Sequence, residues 1–302
     1  MADSLSGIDL FVTVVEAGSF SLAAERLDIT RSAVGKGIVR LEQRLGVQLF
    51  HRTSRTQSLT DEGVLFFRHC LRALEEVRAG EAALESGRWV VQGRLRISMP
   101  VLFGHLYIAP ILLELARVHS GLTLDLSFSD RAVDLVEEGF DLVVRNGTIP
   151  QTNELATRQL GVHGMTFCAS PAYLQGHGIP TCLEELCDHQ AIAYTSKGKI
   201  FDWQVQVKDK LQVVRPNARL QMDDMRAVAD AAIAGFGIAW IPTWLAQGHI
   251  NQGELLEVLP QEQGVVYPIS AIWPHTAHLP MKTKIVVEEL AQKLPERLAT
   301  LA

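Results

Sequence analysis

The sequence predicts an α/β chain of several domains: a small helical domain first, then a long linker helix, then a two-lobed α/β domain. Three observations carry that expectation. At 302 residues the chain is longer than one hydrophobic core usually serves. Charge is unevenly spread: the net charge is −6, yet residues 1–60 hold seven Lys or Arg against six Asp or Glu, so that segment stands at +1 and the rest at −7. The apolar pattern also changes near Arg94, from helical spacing to short apolar runs alternating with helical ones. Positive charge gathered at one end of an acidic chain points to a polyanionic partner.

The first elements follow from spacing. Leu10, Phe11 and Val14 recur at i, i+1 and i+4, which predicts a helix over 7–17 ended by Gly18. Ser19 is placed to cap a second helix with Ala23, Ala24 and Leu27 inward. After the short turn "DIT", Thr30 or Ser32 caps a third helix whose stripe is Val34, Ile38, Leu41 and Leu45, with Gly46 closing it. Two short helices joined by a three-residue turn are the helix-turn-helix plan. "LFHRTSRTQSLT" alternates enough for a small β-ribbon, which makes the plan a winged helix-turn-helix. Arg31, Lys36, Arg40 and Arg44 fall off the apolar stripe. Arg31, Ser32, Ala33, Gly35 and Lys36 lie at the helix end that enters a major groove in this motif. Arg52 and Arg55, in the wing, are placed for phosphate or minor groove.

Residues 11–63, with "A-G-S-F-S-x-A-A", "S-A-V", "L-E-x-x-L-G-x-x-L-F-x-R" and "L-T-x-x-G", resemble the DNA-binding domain of LysR-type transcriptional regulators without a gap. The candidate DNA-binding residues are then Ser19, Ser21, Thr30, Arg31, Ser32, Ala33, Gly35, Lys36, Arg40, Arg52 and Arg55. The family usually has Ser where Gly35 stands, and Gly37 is a second glycine in the same helix. Each interior glycine costs about 1 kcal/mol relative to Ala. Two expectations stay open: a helix ordered by DNA, or an operator unlike that of relatives with the serine.

Asp61 and Glu62 suit the first turn of a long helix carrying Val64, Phe67, Leu71, Leu74, Val77 and Leu84. Taken alone, this is a core helix of the first domain. The resemblance implies instead a linker helix over 61–87 whose seam pairs with a second copy, giving a dimer of dimers. "GRWVVQG" reads as the hinge, at 88–93.

From Arg94 the predicted order is strand "RLRISM", helix "GHLYIAPILLELARVH", strand "LTLDLSF", helix "RAVDLVEEG" and strand "DLVVR". "HGMTFCAS" opens a second unit, in which "DMRAVADAAIAGFGIAWIP" is a helix, a glycine turn and a strand. "YPISAIW" and a helix around 281–294 return to the first lobe. The expected effector domain is 94–302, with lobe I about 94–163 and 267–302 and lobe II about 164–266, in a periplasmic-binding-protein-like arrangement around a cleft. Such sheets bind ligands at the carboxyl ends of strands.

"DLVEEGFDLVVRNG", "CASPAYLQGHG" and "AGFGIAWIP" resemble the effector domain of LysR-type regulators, near the subgroup that governs small-acid and aromatic metabolism. The resemblance implies effector-binding positions at Ser98, Pro100, Val101, Phe103, Ser129, Arg145, Thr195, Ser196, Asp223 and Met225, and a small organic or aromatic acid as ligand. Asp223 stands where relatives often have Asn, which counts against a strongly anionic ligand. Double-stranded DNA, RNA polymerase and a second copy are the other implied partners.

The remaining classes are weakly supported. The sequence has no G-x-S-x-G, P-loop, H-E-x-x-H or C-x-x-C, so no enzyme, cofactor or metal is expected. His275 and His278 are spaced by three but fall in a predicted loop. Cys70, Cys168, Cys182 and Cys187 read as reduced thiols, with a redox switch at Cys182 and Cys187 as the alternative. The N-terminus lacks the basic region of a secretory signal, which argues for a cytoplasmic protein over a transport-linked solute-binding protein. No membrane span is expected: the nearest apolar stretch, residues 231–246, is broken by Gly and Pro.

Overall fold

The computed structural model describes residues 7–51, 58–86, 91–149, 152, 154–196, 198–207, 210–276 and 279–301. Arg52, Arg55, His278 and residues 88–90 of the expected hinge lie outside the described residues.

The N-terminal helices are α1 (Ile8–Ala17), α2 (Phe20–Arg26) and α3 (Arg31–Leu45). Gly18 and Gly46 end α1 and α3 with φ of 71° and 72°, the left-handed conformation that favours glycine. Ser19 Oγ accepts the Leu22 amide, and Thr30, rather than Ser32, caps α3 by accepting the Ala33 amide; both bonds are 3.1 Å. Val34, Ile38 and Leu41 are buried, and Phe11 meets Phe50 edge-on at 5.6 Å in the same core.

One acid stabilises the turn after α3. Glu42 Oε1 accepts the amides of Leu49 at 2.8 Å and Phe50 at 3.2 Å. The base of the wing follows, a Phe50–Leu59 bridge with the His51 amide on Ser58 O. Thr60 Oγ1 donates to Gln48 O and accepts the Gly63 amide, starting α4 (Asp61–Ser86). A Cβ at Gly63 would overlap the Leu49 carbonyl oxygen, which explains the glycine of "L-T-x-x-G". Phe67, Leu71 and Leu74, expected on a seam for a second copy, are half-buried here against their own domain's core with Phe66 and Cys70. Leu65 and Val77 are exposed on α4.

Lobe I is a five-stranded sheet of order β2-β1-β3-β14-β4, built from β1 (Gly93–Met99), β2 (Leu122–Phe128), β3 (Leu142–Asn146), β4 (Leu155–His163) and β14 (Tyr267–Pro274). β2 and β3 run parallel to β1, whereas β14 runs antiparallel to β3 and β4. Between β1 and β2 lie α5 (Val101–Phe103), a π-helical turn (Gly104–Ile108) and α6 (Ala109–Val118). This run, Val101–Val118, is long and apolar enough to cross a membrane by length and composition, unlike the stretch singled out above. Its buried residues Phe103, Tyr107, Ile111 and Leu112 belong to a hydrophobic core that also takes in lobe II residues such as Ile192, Val228 and Ile241. α10 (Met281–Leu301) packs on β4 and α6 and continues through Pro295, past the expected end.

Lobe II holds β5 (Met165–Ala169), α7 (Pro171–His177), β6 (Ala191–Ser196), β7 (Lys199–Ile200), β8 (Trp203–Val207), β9 (Lys210–Val214), β10 (Ala218–Met222), α8 (Met225–Ile233), β11 (Ile238–Pro242), α9 (Thr243–Asn251), β12 (Leu256–Val258) and β13 (Gln263–Gly264). Its main sheet has the order β10-β6-β11-β5-β12, with β5 antiparallel to β11. A separate small sheet has the order β13-β8-β9.

The helix expected at 131–139 is absent. Asp134 Oδ1 accepts the amides of Val136 and Glu137, Glu138 accepts the Asp134 amide, and Gly139 has φ of 69°. The Glu138 amide still donates to Asp134 O at 2.9 Å, so Asp134 caps a single turn, which Gly139 ends before a helix can extend.

Gly35 has open space where a Cβ would sit. Gly35→Ala should therefore raise stability by about 1 kcal/mol through helix propensity. Gly63→Ala should lower it by roughly 1–3 kcal/mol, because the backbone must shift. Denaturant unfolding of each variant checks both signs.

Candidate functional site

Two places combine exposure or volume with suitable chemistry. On α3, Arg31, Ser32, Ala33, Lys36 and Arg40 are exposed and Gly35 is half-buried. At roughly 100° per residue, Ser32, Lys36, Val39 and Gln43 lie on the face opposite the buried stripe, with Arg40 beside them. Val39, 44% exposed, was not singled out by sequence; it offers an apolar contact of the kind that reads a thymine methyl. Ser21 and Thr30 are exposed, while Ser19 is half-buried and engaged as a cap.

The second place is a cavity of about 500 Å³ where the chain crosses between lobes. Pro100, Phe103, Arg145 and Met225 line it, as expected. Ser98, Val101, Ser129, Thr195, Ser196 and Asp223 do not. Ser98 is fully buried in a strand covered on both sides, and its Oγ accepts Arg145 Nη2 at 2.8 Å. The Val101 amide donates to Asp130 Oδ1, and Ser129 Oγ accepts the Arg131 amide. Thr195 and Ser196 are held in pairing with β7. Asp223 only precedes Asp224, the cap of α8, whose Oδ1 accepts the Ala227 amide at 2.8 Å.

Sequence reading missed most of the wall: Asp130, Asn146, His163, Tyr194, Phe201, Trp203, Asp224, Trp240, Trp244 and Tyr267. One signal was available, since three of the chain's five tryptophans line this cavity and none had been assigned a task. Among the described residues, five buried side-chain polar atoms have no hydrogen-bond partner: Asn146 Oδ1, His163 Nε2, Trp240 Nε1, Trp244 Nε1 and Tyr267 Oη. All five belong to lining residues, and unsatisfied buried groups ask for a partner.

Electrostatics differ along the wall. Burial pushes the His163 pKa down, so the ring is neutral near pH 7. Its Nδ1 faces Gly164 O at 3.1 Å and must carry the proton, which leaves Nε2 a bare acceptor. Burial raises the Asp130 pKa, helped by the charges of Asp224 and Asp223 and opposed by the Val101 amide and Arg145. Elsewhere, burial pushes the Cys70 thiol up to about 11 and Cys168 up to about 12, away from the reactive thiolate. Cys182 is half-buried and Cys187 exposed, and all four cysteines are free.

A bonded path leaves the cavity. Arg145 Nη2 reaches Arg131 O at 3.4 Å, and the Arg131 guanidinium grips the Glu138 carboxylate through both terminal nitrogens. Arg96 Nη1 donates to Glu138 O at 2.9 Å while its guanidinium sits 4.9 Å from the Phe140 ring centre. Arg68 Nη1, on α4, donates to Glu137 O at 2.5 Å.

Comparison with known proteins matches residues 5–64 to the lysR family of bacterial regulatory helix-turn-helix proteins, and residues 90–295 to the LysR substrate binding domain. The chain belongs to the LysR family. Like it, the HTH-type transcriptional regulator CrgA of Neisseria meningitidis serogroup C is 31% identical over 295 residues, 96% of this chain and 97% of that protein. The solved structure of N. meningitidis CrgA covers 98% of each chain with a TM-score of 0.57 at 29% identity. Full-length AphB, a Vibrio cholerae virulence activator, covers 95% of this chain and 98% of its own at TM-score 0.60 and 26% identity. This LysR-type protein is a ligand-responsive DNA-binding transcriptional regulator, with an N-terminal helix-turn-helix and a two-lobed effector domain. Its relatives are named as regulators, in line with the missing enzyme motifs.

Ser98→Ala removes a buried acceptor from Arg145 and should cost roughly 1–3 kcal/mol of stability. Thr195→Val, at a half-buried strand end, should stay within about 0.5 kcal/mol. Unfolding midpoints of the two variants separate a framework hydroxyl from a peripheral one.

Proposed function

We propose that copies of this chain sit on a DNA site of dyad symmetry and that a small molecule in the inter-lobe cavity sets their hold on it. The observation that carries the proposal is the bonded path from Arg145 on the cavity wall, through the 131–141 loop, to Arg68 on α4. A ligand that prefers one arrangement of this path shifts the population of arrangements, and operator affinity moves with it.

In this reading the DNA-binding domain is 1–60, the linker helix 61–87, the hinge 88–93 and the effector domain 94–302. Exposed Leu65 and Val77 support pairing of α4 with a second copy, and dimers assemble into a dimer of dimers that meets RNA polymerase in the cytoplasm. Of the subgroup expected from sequence, which governs small-acid and aromatic metabolism, the aromatic wall supports the aromatic part, a flat ligand body.

On DNA, Arg31 with Ser32 and Ala33 reads base edges, and Lys36, Val39 and Arg40 continue that face. Arg52 and Arg55 hold phosphates or the minor groove. Arg31→Ala should cost roughly 1–3 kcal/mol on an operator selected from a random library and spare scrambled DNA. Arg52→Ala and Arg55→Ala should weaken both DNAs and lower the salt slope by about one. Salt series of the three variants on both DNAs test the division. An unchanged slope for both wing variants contradicts it.

A further inference from the structure

We infer that the inter-lobe cavity takes an aromatic ligand bearing a protonated amine, held by the Asp130 and Asp224 carboxylates against the aromatic wall. This rests on the cavity being the effector site, and it replaces the acid expected from sequence with a cation.

Charge is the first ground. Besides the neutral His163, the acidic and basic side chains on the wall are Asp130, Asp224 and Arg145, with no lysine, so carboxylates outnumber cations. Asp223 adds its field to Asp130 and to Tyr194. A ligand carboxylate would enter against this excess, whereas an ammonium relieves it.

Geometry is the second. The one guanidinium is turned into the framework, with bonds to Val144 O at 2.7 Å, Ser98 Oγ at 2.8 Å and Arg131 O at 3.4 Å. Both carboxylates are fixed by one oxygen only: Asp130 Oδ1 by the Val101 amide and Asp224 Oδ1 by the Ala227 amide. Among the described residues, each second oxygen is left for another donor.

The wall supplies the third. Phe201, Trp240 and Tyr267 form a triangle with ring centres 6.3, 6.4 and 6.2 Å apart, and Tyr194 stands 6.5 Å from Phe201. Phe201 is 42% exposed, at the outer edge of this set. Ring faces within about 6 Å attract a cation and stack on a flat body. Nearby, His163 Nε2 is an acceptor with no partner on a ring more than nine-tenths buried. It suits the N–H of an ammonium.

The test uses three compounds that differ only in the end group: 2-phenylethylamine, 2-phenylethanol and 3-phenylpropionate. Each is titrated calorimetrically into the full-length protein at pH 7. The amine should bind about tenfold tighter than the alcohol, and the acid weakest. In Asp130→Asn and Asp224→Asn the asparagine oxygen still accepts the same backbone amide, so melting temperature reports any fold defect. In both variants the amine-to-alcohol ratio should fall towards one. Acid binding as tight as amine binding overturns the amine assignment but leaves the cavity as an effector site. An amine-to-alcohol ratio unchanged in both variants overturns it by placing the amine elsewhere. Binding of none of the three overturns the amine assignment and the cavity reading together.

Discussion

The half-buried guanidinium of Arg145 is the junction on which the effector domain's arrangement depends. A charge partly removed from water needs acceptors around it, and Arg145 draws them from three places: its own strand β3, Ser98 in β1 and the carbonyl of Arg131. Burial lowers its pKa, with Asp130 and Glu138 working the other way, yet a guanidinium stays protonated. The central strands and the loop beside them are therefore held in one geometry. Any ligand that alters the field at the cavity wall acts on all three.

The second constraint sits at Leu49. Its amide donates to Glu42 at the end of α3, and its carbonyl accepts the Thr60 amide at the start of α4, with Gly63 allowing the close approach. The DNA-facing helix and the linker helix are thus joined through one residue's backbone. Arg68, two turns into α4, then bonds the 131–141 loop. The two constraints lie on a continuous physical path, so a change at the cavity has a route to α3 that needs no large rearrangement of either core.

Much of this was legible in sequence where one interaction type dominates. The stripe Val34, Ile38, Leu41, the glycine ends at Gly18 and Gly46 and the serine and threonine caps are local signals, and the structure repeats them. The return of β14 to lobe I also followed from pattern. The misses were non-local. "RAVDLVEEG" has helical spacing, but Asp134 caps only one turn of it, which Gly139 ends at φ of 69°. Ser98 stands at a strand position that the resemblance implied for ligand contact, yet a long-range arginine claims its oxygen. The aromatic wall draws on five separate segments, and no sequence window contains more than a fraction of it.

Coupling between cavity and DNA is reciprocal, so it can be measured without knowing the effector. The direct measurement is amide hydrogen exchange of the full-length protein with and without an operator selected from a random library. Altered exchange is expected at α3 and also at residues 131–141 and 145–148, which lie in the effector domain outside the helix-turn-helix. Changes confined to the N-terminal domain and α4 would contradict it.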